Sequence, residues 1–167
     1  MKKICFKLCA CVMIMAVLVA CSSGKDPFEK KAITAFELQE KLDNKESFVL
    51  MIEKENCPFC ESIDEYLEQT KKEHPGVVVY TLDTSEFGFQ REDDGKLKSD
   101  TEEGKILLDM APYFLYTPTI YKVTEGVASD VGIGFDETSG AVSLWDLDSM
   151  VDFETAESMN VWEFIEK

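Results

Sequence analysis

Basic residues are scarce in this 167-residue chain: 17 Lys and Arg stand against 33 Asp and Glu, a formal net charge of −16. A chain this acidic repels phosphate backbones, which excludes nucleic acid as a partner. It also disfavours adsorption to anionic lipid, and the simplest use of the charge is solubility. Histidine is scarcer still, with His74 alone. Of six cysteines, Cys5, Cys9, Cys11 and Cys21 fall near the N-terminus, and only Cys57 and Cys60 lie in the rest. That is too few for a disulfide-dense scaffold. There is no internal repeat and no low-complexity segment. Hydrophobic residues at 45% and charged residues at 30% describe a globular chain, and the length suits one domain.

The N-terminus reads differently from the remainder. Lys2, Lys3 and Lys7 precede an apolar run to Ala20, and small residues precede Cys21. This is the pattern of a secretory signal, too short for a full span of about 20 apolar residues. Leu18-Val19-Ala20-Cys21 resembles the bacterial lipobox, in which the cysteine is acylated and becomes the new N-terminus. The alternatives are an ordinary signal peptide with a chance cysteine, or an uncleaved anchor. Diacylation supplies two chains, enough for stable anchoring. The expectation is a signal peptide over 1–20, a membrane-proximal linker over 21–32 and a domain over 33–167, in an extracytoplasmic, membrane-anchored bacterial lipoprotein. The mature chain would hold 14 basic and 33 acidic residues, a net −19. With Cys21 given to lipid, Cys57 and Cys60 form one close pair in an oxidising compartment, which calls for a specific job.

The domain reads as alternating strands and helices. Thr34-Ala35-Phe36-Glu37 has the form of a capping box, so a helix begins at Thr34, with Leu38 and Leu42 on one face. Phe48 to Ile52 is a continuous apolar run suited to a strand buried on both faces. From Phe59 onward a helical pattern places Phe59, Ile63, Tyr66 and Leu67 at three- and four-residue spacing, and His74-Pro75-Gly76 ends it. Val77 to Leu82 is a second buried strand, completing a β–α–β unit with parallel strands. Ser85 to Lys98 reads as an exposed loop, and Ser99-Asp100-Thr101-Glu102 as a capping box for a helix that Pro112 bends or ends. Tyr116 to Tyr121 leads into a third strand; Glu125-Gly126 is a turn and Val127 to Phe135 the returning strand. Asp136 to Asn160 carries no clear pattern, and Val161 to Ile165 is a short helix.

A C-x-x-C that opens a helix directly after a buried strand is a redox arrangement. Two intervening residues put both sulfurs within one helical turn, near enough for a disulfide. Pro58 suits the first helical position. Cys57 then sits at the cap, where unpaired N–H groups and the helix dipole favour thiolate. Cys60, one turn inward, is the resolving thiol. A zinc site needs more ligands than Cys57, Cys60 and a His74 at the far end of the helix, so no metal is expected. A purely structural disulfide is also weak, because so small a loop constrains little of the unfolded chain.

Met51 to Cys60 with the following helix, and later Thr117-Pro118-Thr119, resemble the thioredoxin superfamily over roughly Ile33 to Phe135. The resemblance implies an α/β thioredoxin-like fold: a central mixed sheet, flanking helices and a long insertion before the cis-proline strand. It makes Pro118 the cis-proline that faces the cysteines, and Pro58, Phe59 and Thr117 substrate-binding residues. More narrowly, the chain resembles lipid-anchored thioredoxin-like proteins of the bacteriocin-transport accessory type. It departs from thioredoxin in having Pro-Phe between the cysteines, as glutaredoxins have Pro-aromatic, yet it lacks their glycine-glycine-acid segment. Met51 stands where thioredoxin has a buried aspartate; Glu53 and Glu55 are the nearby substitutes for a proton relay, or else solvated strand-end charges.

The expected function is disulfide exchange on exported proteins, in the reductase or isomerase direction. The partners are exported protein thiols or disulfides and a membrane or extracytoplasmic redox protein. No cofactor is expected beyond the Cys57–Cys60 disulfide itself. Glu53, Glu55 and Glu61 crowd the motif and point to a potential below about −180 mV. The competing readings are a non-catalytic adaptor in export or assembly, and copper delivery, for which no methionine- or histidine-rich cluster accompanies the pair.

Overall fold

A computed structural model describes residues 26–113 and 116–167. The lipobox, the signal segment and Cys21 lie outside the described residues. In chain order the elements are β1 (Glu29–Ala32), α1 (Ala35–Asp43), β2 (Phe48–Glu53), α2 (Pro58–Thr70), β3 (Val78–Asp83), β4 (Gln90–Arg91), β5 (Leu97–Lys98), α3 (Glu102–Met110), β6 (Thr119–Thr124), β7 (Val127–Asp136), β8 (Ala141–Trp145), β9 (Glu157–Asn160) and α4 (Val161–Glu166). One sheet runs β1-β3-β2-β6-β7-β8-β9. β3 is parallel to both β1 and β2, while β6 to β9 alternate antiparallel. A mixed sheet with flanking helices and an insertion before Pro118 is the thioredoxin-like architecture.

β2 shows why the apolar runs become central strands. Leu50, Met51 and Ile52 are all fully buried, because the strand has a neighbour on each side and a helical layer on each face. Met51 packs in a core with Ile63 and Leu67 of α2 and Trp162 and Phe164 of α4. Leu50 and Ile52 face the other way, toward Leu38 of α1 and Leu107 of α3. α1 starts where its capping box places it: the Thr34 hydroxyl accepts from the Glu37 amide at 3.2 Å, and the Thr34 amide donates to the Glu37 carboxylate at 2.7 Å. Glu125 and Gly126 both take left-handed φ, 51° and 79°, and turn β6 into β7. Paired left-handed residues match the twist of a two-residue hairpin.

Five sequence expectations change. Residues 28–32 are not linker. Phe28 is buried edge-on against Trp162, with ring centroids 5.1 Å apart, and β1 pairs with β3. Polar side chains hid this short edge strand. Ser85 to Lys98 is not simply an exposed loop: Phe87 is buried, and β4 and β5 form a small hairpin within it. The cap of α3 is Thr101, whose hydroxyl accepts from the Gly104 amide at 3.0 Å. Ser99 is turned inward and donates to the Phe87 carbonyl at 2.5 Å. Phe59 leaves the apolar face of α2 that Ile63 and Leu67 share, and is exposed. The unpatterned stretch 136–160 supplies β8 and β9, which extend the sheet beyond β7.

Candidate active site

The parallel β2 ends at Glu53, and a short turn delivers Cys57 to the N-cap of α2. The turn is pinned from the next strand's end: Thr84 donates to the Glu53 carbonyl through both its amide and its hydroxyl, each at 3.0 Å, and the Ser85 hydroxyl accepts from the Glu55 amide at 2.8 Å. Pro58 is the first helical residue, where its missing N–H costs nothing. The Cys60 amide donates to the Cys57 sulfur at 3.2 Å. Cys57 and Cys60 are joined as a disulfide, with Cα atoms 5.3 Å apart. Both residues are buried, at 9% and 6% exposure, so exposure alone does not separate their roles. Their positions on the helix differ: Cys57 is the N-cap, and its sulfur shares the Cys60 amide with the Cys57 carbonyl, 3.0 Å from that amide.

The loop before β6 meets the disulfide from the opposite side. The Thr117–Pro118 bond is cis. The Thr117 hydroxyl donates to the Cys57 sulfur at 3.3 Å, and the Thr117 carbonyl oxygen lies at the same distance from it. The Pro118 carbonyl is held by the Gly134 amide at 2.8 Å, which ties this loop to β7. Donors aimed at the Cys57 sulfur stabilise its thiolate.

Glu53 and Glu55 part company. Glu55 is exposed. Glu53 is largely buried and bonded to Lys30 of β1 at 2.7 Å, and Lys30 also pairs with Asp64 of α2. Burial pushes the Glu53 carboxyl above its ordinary 4.5, and Asp64 adds to this, while Lys30 pulls the other way. Sequence reasoning missed Lys30, which it assigned to the linker, and Asp64, one more acid on an acidic helix.

An open groove of about 380 Å³ begins at Phe59 and Thr117, which neighbour the disulfide, and lies over β7 and β8. Phe59 and Thr117 form its near end, Gly134 and Val142 line it, and Tyr116 and Phe153 stand against each other with ring centroids 5.1 Å apart. Tyr116 lies next to Thr117 in sequence and was within reach of inference. Phe153 sits in the stretch that carried no pattern. Among the described residues no group of three His, Cys, Asp or Glu is arranged to hold a metal ion.

No protein-family model matches the chain, and no curated protein matches it either. Several solved thioredoxins are similar to part of it. Thioredoxin f2 of Chlamydomonas reinhardtii matches 64% of this chain and 84% of its own at 15% identity, with a TM-score of 0.44. Oxidised thioredoxin of Plasmodium falciparum matches 66% and 89% at 15% identity, with a TM-score of 0.44. Thioredoxin of Aeropyrum pernix matches 61% and 73% at 19% identity, with a TM-score of 0.39.

Proposed function

We propose that this protein is a thiol–disulfide oxidoreductase that works outside the cytoplasm on exported proteins, tethered to the membrane by a lipid on Cys21. The observation that carries the redox reading is a disulfide in which the Cys57 sulfur caps α2 and lies 3.3 Å from the Thr117 hydroxyl. In the reducing direction the Cys57 thiolate attacks a substrate disulfide. A sulfur–sulfur bond forms to Cys57, and one substrate thiolate leaves. The Cys60 thiolate then attacks Cys57, restoring the Cys57–Cys60 disulfide and releasing the second substrate thiolate. Two electrons pass from the dithiol to the substrate, and a dithiol of a membrane or extracytoplasmic reductase returns them.

Pro58, Phe59 and Thr117 border the attacking sulfur and serve as the substrate-contacting rim, with Pro118 holding Thr117 in place. Of the two relay candidates Glu53 is the one favoured, because it stands half-buried at the end of β2 just before the cysteine turn and its carboxyl pKa is raised. Exposed Glu55 lacks that environment. The tether rests on the lipobox sequence alone.

Insulin reduction by the full chain, driven by dithiothreitol, tests the activity. Turnover that vanishes in Cys57→Ser supports it, whereas a chain that holds partners without turnover is the adaptor. Intact mass of the membrane-extracted protein tests the tether. A Met1 start or an unmodified Cys21 overturns it.

A further inference from the structure

Six large hydrophobic side chains are exposed among the described residues, and three of them, Phe59, Tyr116 and Phe153, at 57%, 42% and 48% exposure, line the groove that begins at Phe59 and Thr117. Scattered exposed apolar residues are ordinary, but a cluster in a concavity marks a place where another molecule docks. The groove's floor comes from Gly134 of β7 and Val142 of β8, and Phe153 on the β8–β9 connection closes its far side. The groove therefore lies over strands beyond the β–α–β unit that carries the cysteines.

The one charged residue in its lining is acidic, and further acids adjoin the lining residues in sequence. Asp136 lies in the lining, and the Ser139 hydroxyl and Thr138 amide hold its carboxyl below the ordinary range. Asp152 and Glu154 bracket Phe153 in sequence, Glu137 is bonded to Ser62 of α2, and Glu61 follows Cys60. No basic residue is among the lining residues.

We infer that this groove selects the substrate: it receives a large apolar side chain, aromatic or branched aliphatic, that lies within a few residues of the reacting cysteine in an extended segment, with lysine or arginine beside it. This rests on the disulfide-exchange reading above. An extended residue advances the chain by about 3.4 Å, so a side chain close in sequence to a cysteine held at Cys57 falls over Phe59 and Tyr116. The apolar walls desolvate it, and the acidic rim draws its basic neighbours.

The test uses the full chain in detergent and three disulfide-bearing peptides alike except near the cysteine: phenylalanine with lysine, alanine with lysine, and phenylalanine with glutamate. The phenylalanine–lysine peptide should exchange about tenfold faster than the alanine–lysine one, as expected for burying one large side chain. It should also outpace the phenylalanine–glutamate peptide by about as much at low salt, the gap closing as salt screens the rim. Phe153→Ala should bring the first ratio close to one, while Phe36→Ala, at an exposed site on α1, should retain it. Equal rates on all three peptides, or a ratio unmoved by Phe153→Ala, overturn the inference.

A second arm does not depend on exchange. A phenylalanine–lysine peptide with serine in place of cysteine should shift the backbone amide resonances of Tyr116, Gly134 and Val142. Shifts confined elsewhere overturn the groove, as does sedimentation showing a dimer that these three amides report as buried. Binding in the groove with no exchange on any peptide would leave the groove standing and overturn the oxidoreductase reading alone.

Discussion

The Thr117 hydroxyl is placed to donate to the Cys57 sulfur, 3.3 Å away, from a loop sixty residues along the chain. The same sulfur takes the Cys60 amide at 3.2 Å. One donor comes from the helix that Cys57 begins and the other from the segment that faces it, so the sulfur is held between two parts of the fold.

Thr117→Val keeps the shape of the side chain and removes the donor. A hydrogen bond to the charged form favours it. Alkylation of Cys57 in the reduced protein should therefore need a higher pH to reach the same rate. The rate of iodoacetamide alkylation against pH reads this directly. An unchanged midpoint would show that the Thr117 hydroxyl does not act on the thiolate.

The two cysteines should separate by chemistry rather than by exposure. In the reduced protein at mildly acidic pH, Cys57 should be alkylated first, because its sulfur faces the helix end. Cys60→Ser should accumulate a mixed disulfide with substrate through Cys57, visible on non-reducing gels, whereas Cys57→Ser should form none. Preferential labelling of Cys60 would reverse the roles.

Glu53 links the site to pH. Its carboxyl pKa is raised in the folded protein, by burial first and with Lys30 opposing, so the folded chain keeps a proton that the unfolded chain releases. That contribution is complete below the ordinary value of 4.5 and is lost as pH climbs through the folded value. Glu53→Gln has no such titration. Across that window wild-type stability should fall relative to Glu53→Gln as pH rises, measured by urea denaturation at each pH. A relay role adds a second readout, a changed pH–rate profile for the Cys60-dependent step.

Gly126→Ala tests the β6–β7 turn. Gly126 has φ of 79°, and a Cβ there would lie 2.3 Å from the Leu42 carbonyl oxygen, which is backbone and has little room to move. The cost should be about 3 kcal/mol, combining backbone strain and overpacking. A lower urea midpoint with an unchanged slope checks it.

What the sequence made legible follows from which physical signals are local. The α1 capping box, the buried run of β2 and the Cys57-Pro58 helix start are each written within a few residues, and each fixes its own element. Thr117 and Pro118 were legible only through resemblance, because nothing local says which strand they face. The Lys30–Glu53–Asp64 cluster joins three elements, and its members look like ordinary surface charges in sequence. β8 and β9 escaped notice because each is short, and their connection is a chain of acidic turns, such as Asp146 receiving the Asp148 amide and Asp152 receiving the Glu154 amide. With that region unread, Phe153 and the groove it closes could not be assembled.

The seven-stranded sheet also ends in a particular way on both sides. β1 and β9 are four residues each, carrying Glu29, Lys30 and Lys31 at one margin and Glu157 at the other, and β9 runs straight into α4. Short, charged margins give an unfolded chain little ladder to add to. A protein that meets clients in extended form risks being extended by them, strand upon strand. Under the disulfide exchange proposed above, a client would find little foothold along these margins, and its release would depend on the cysteine pair and the groove.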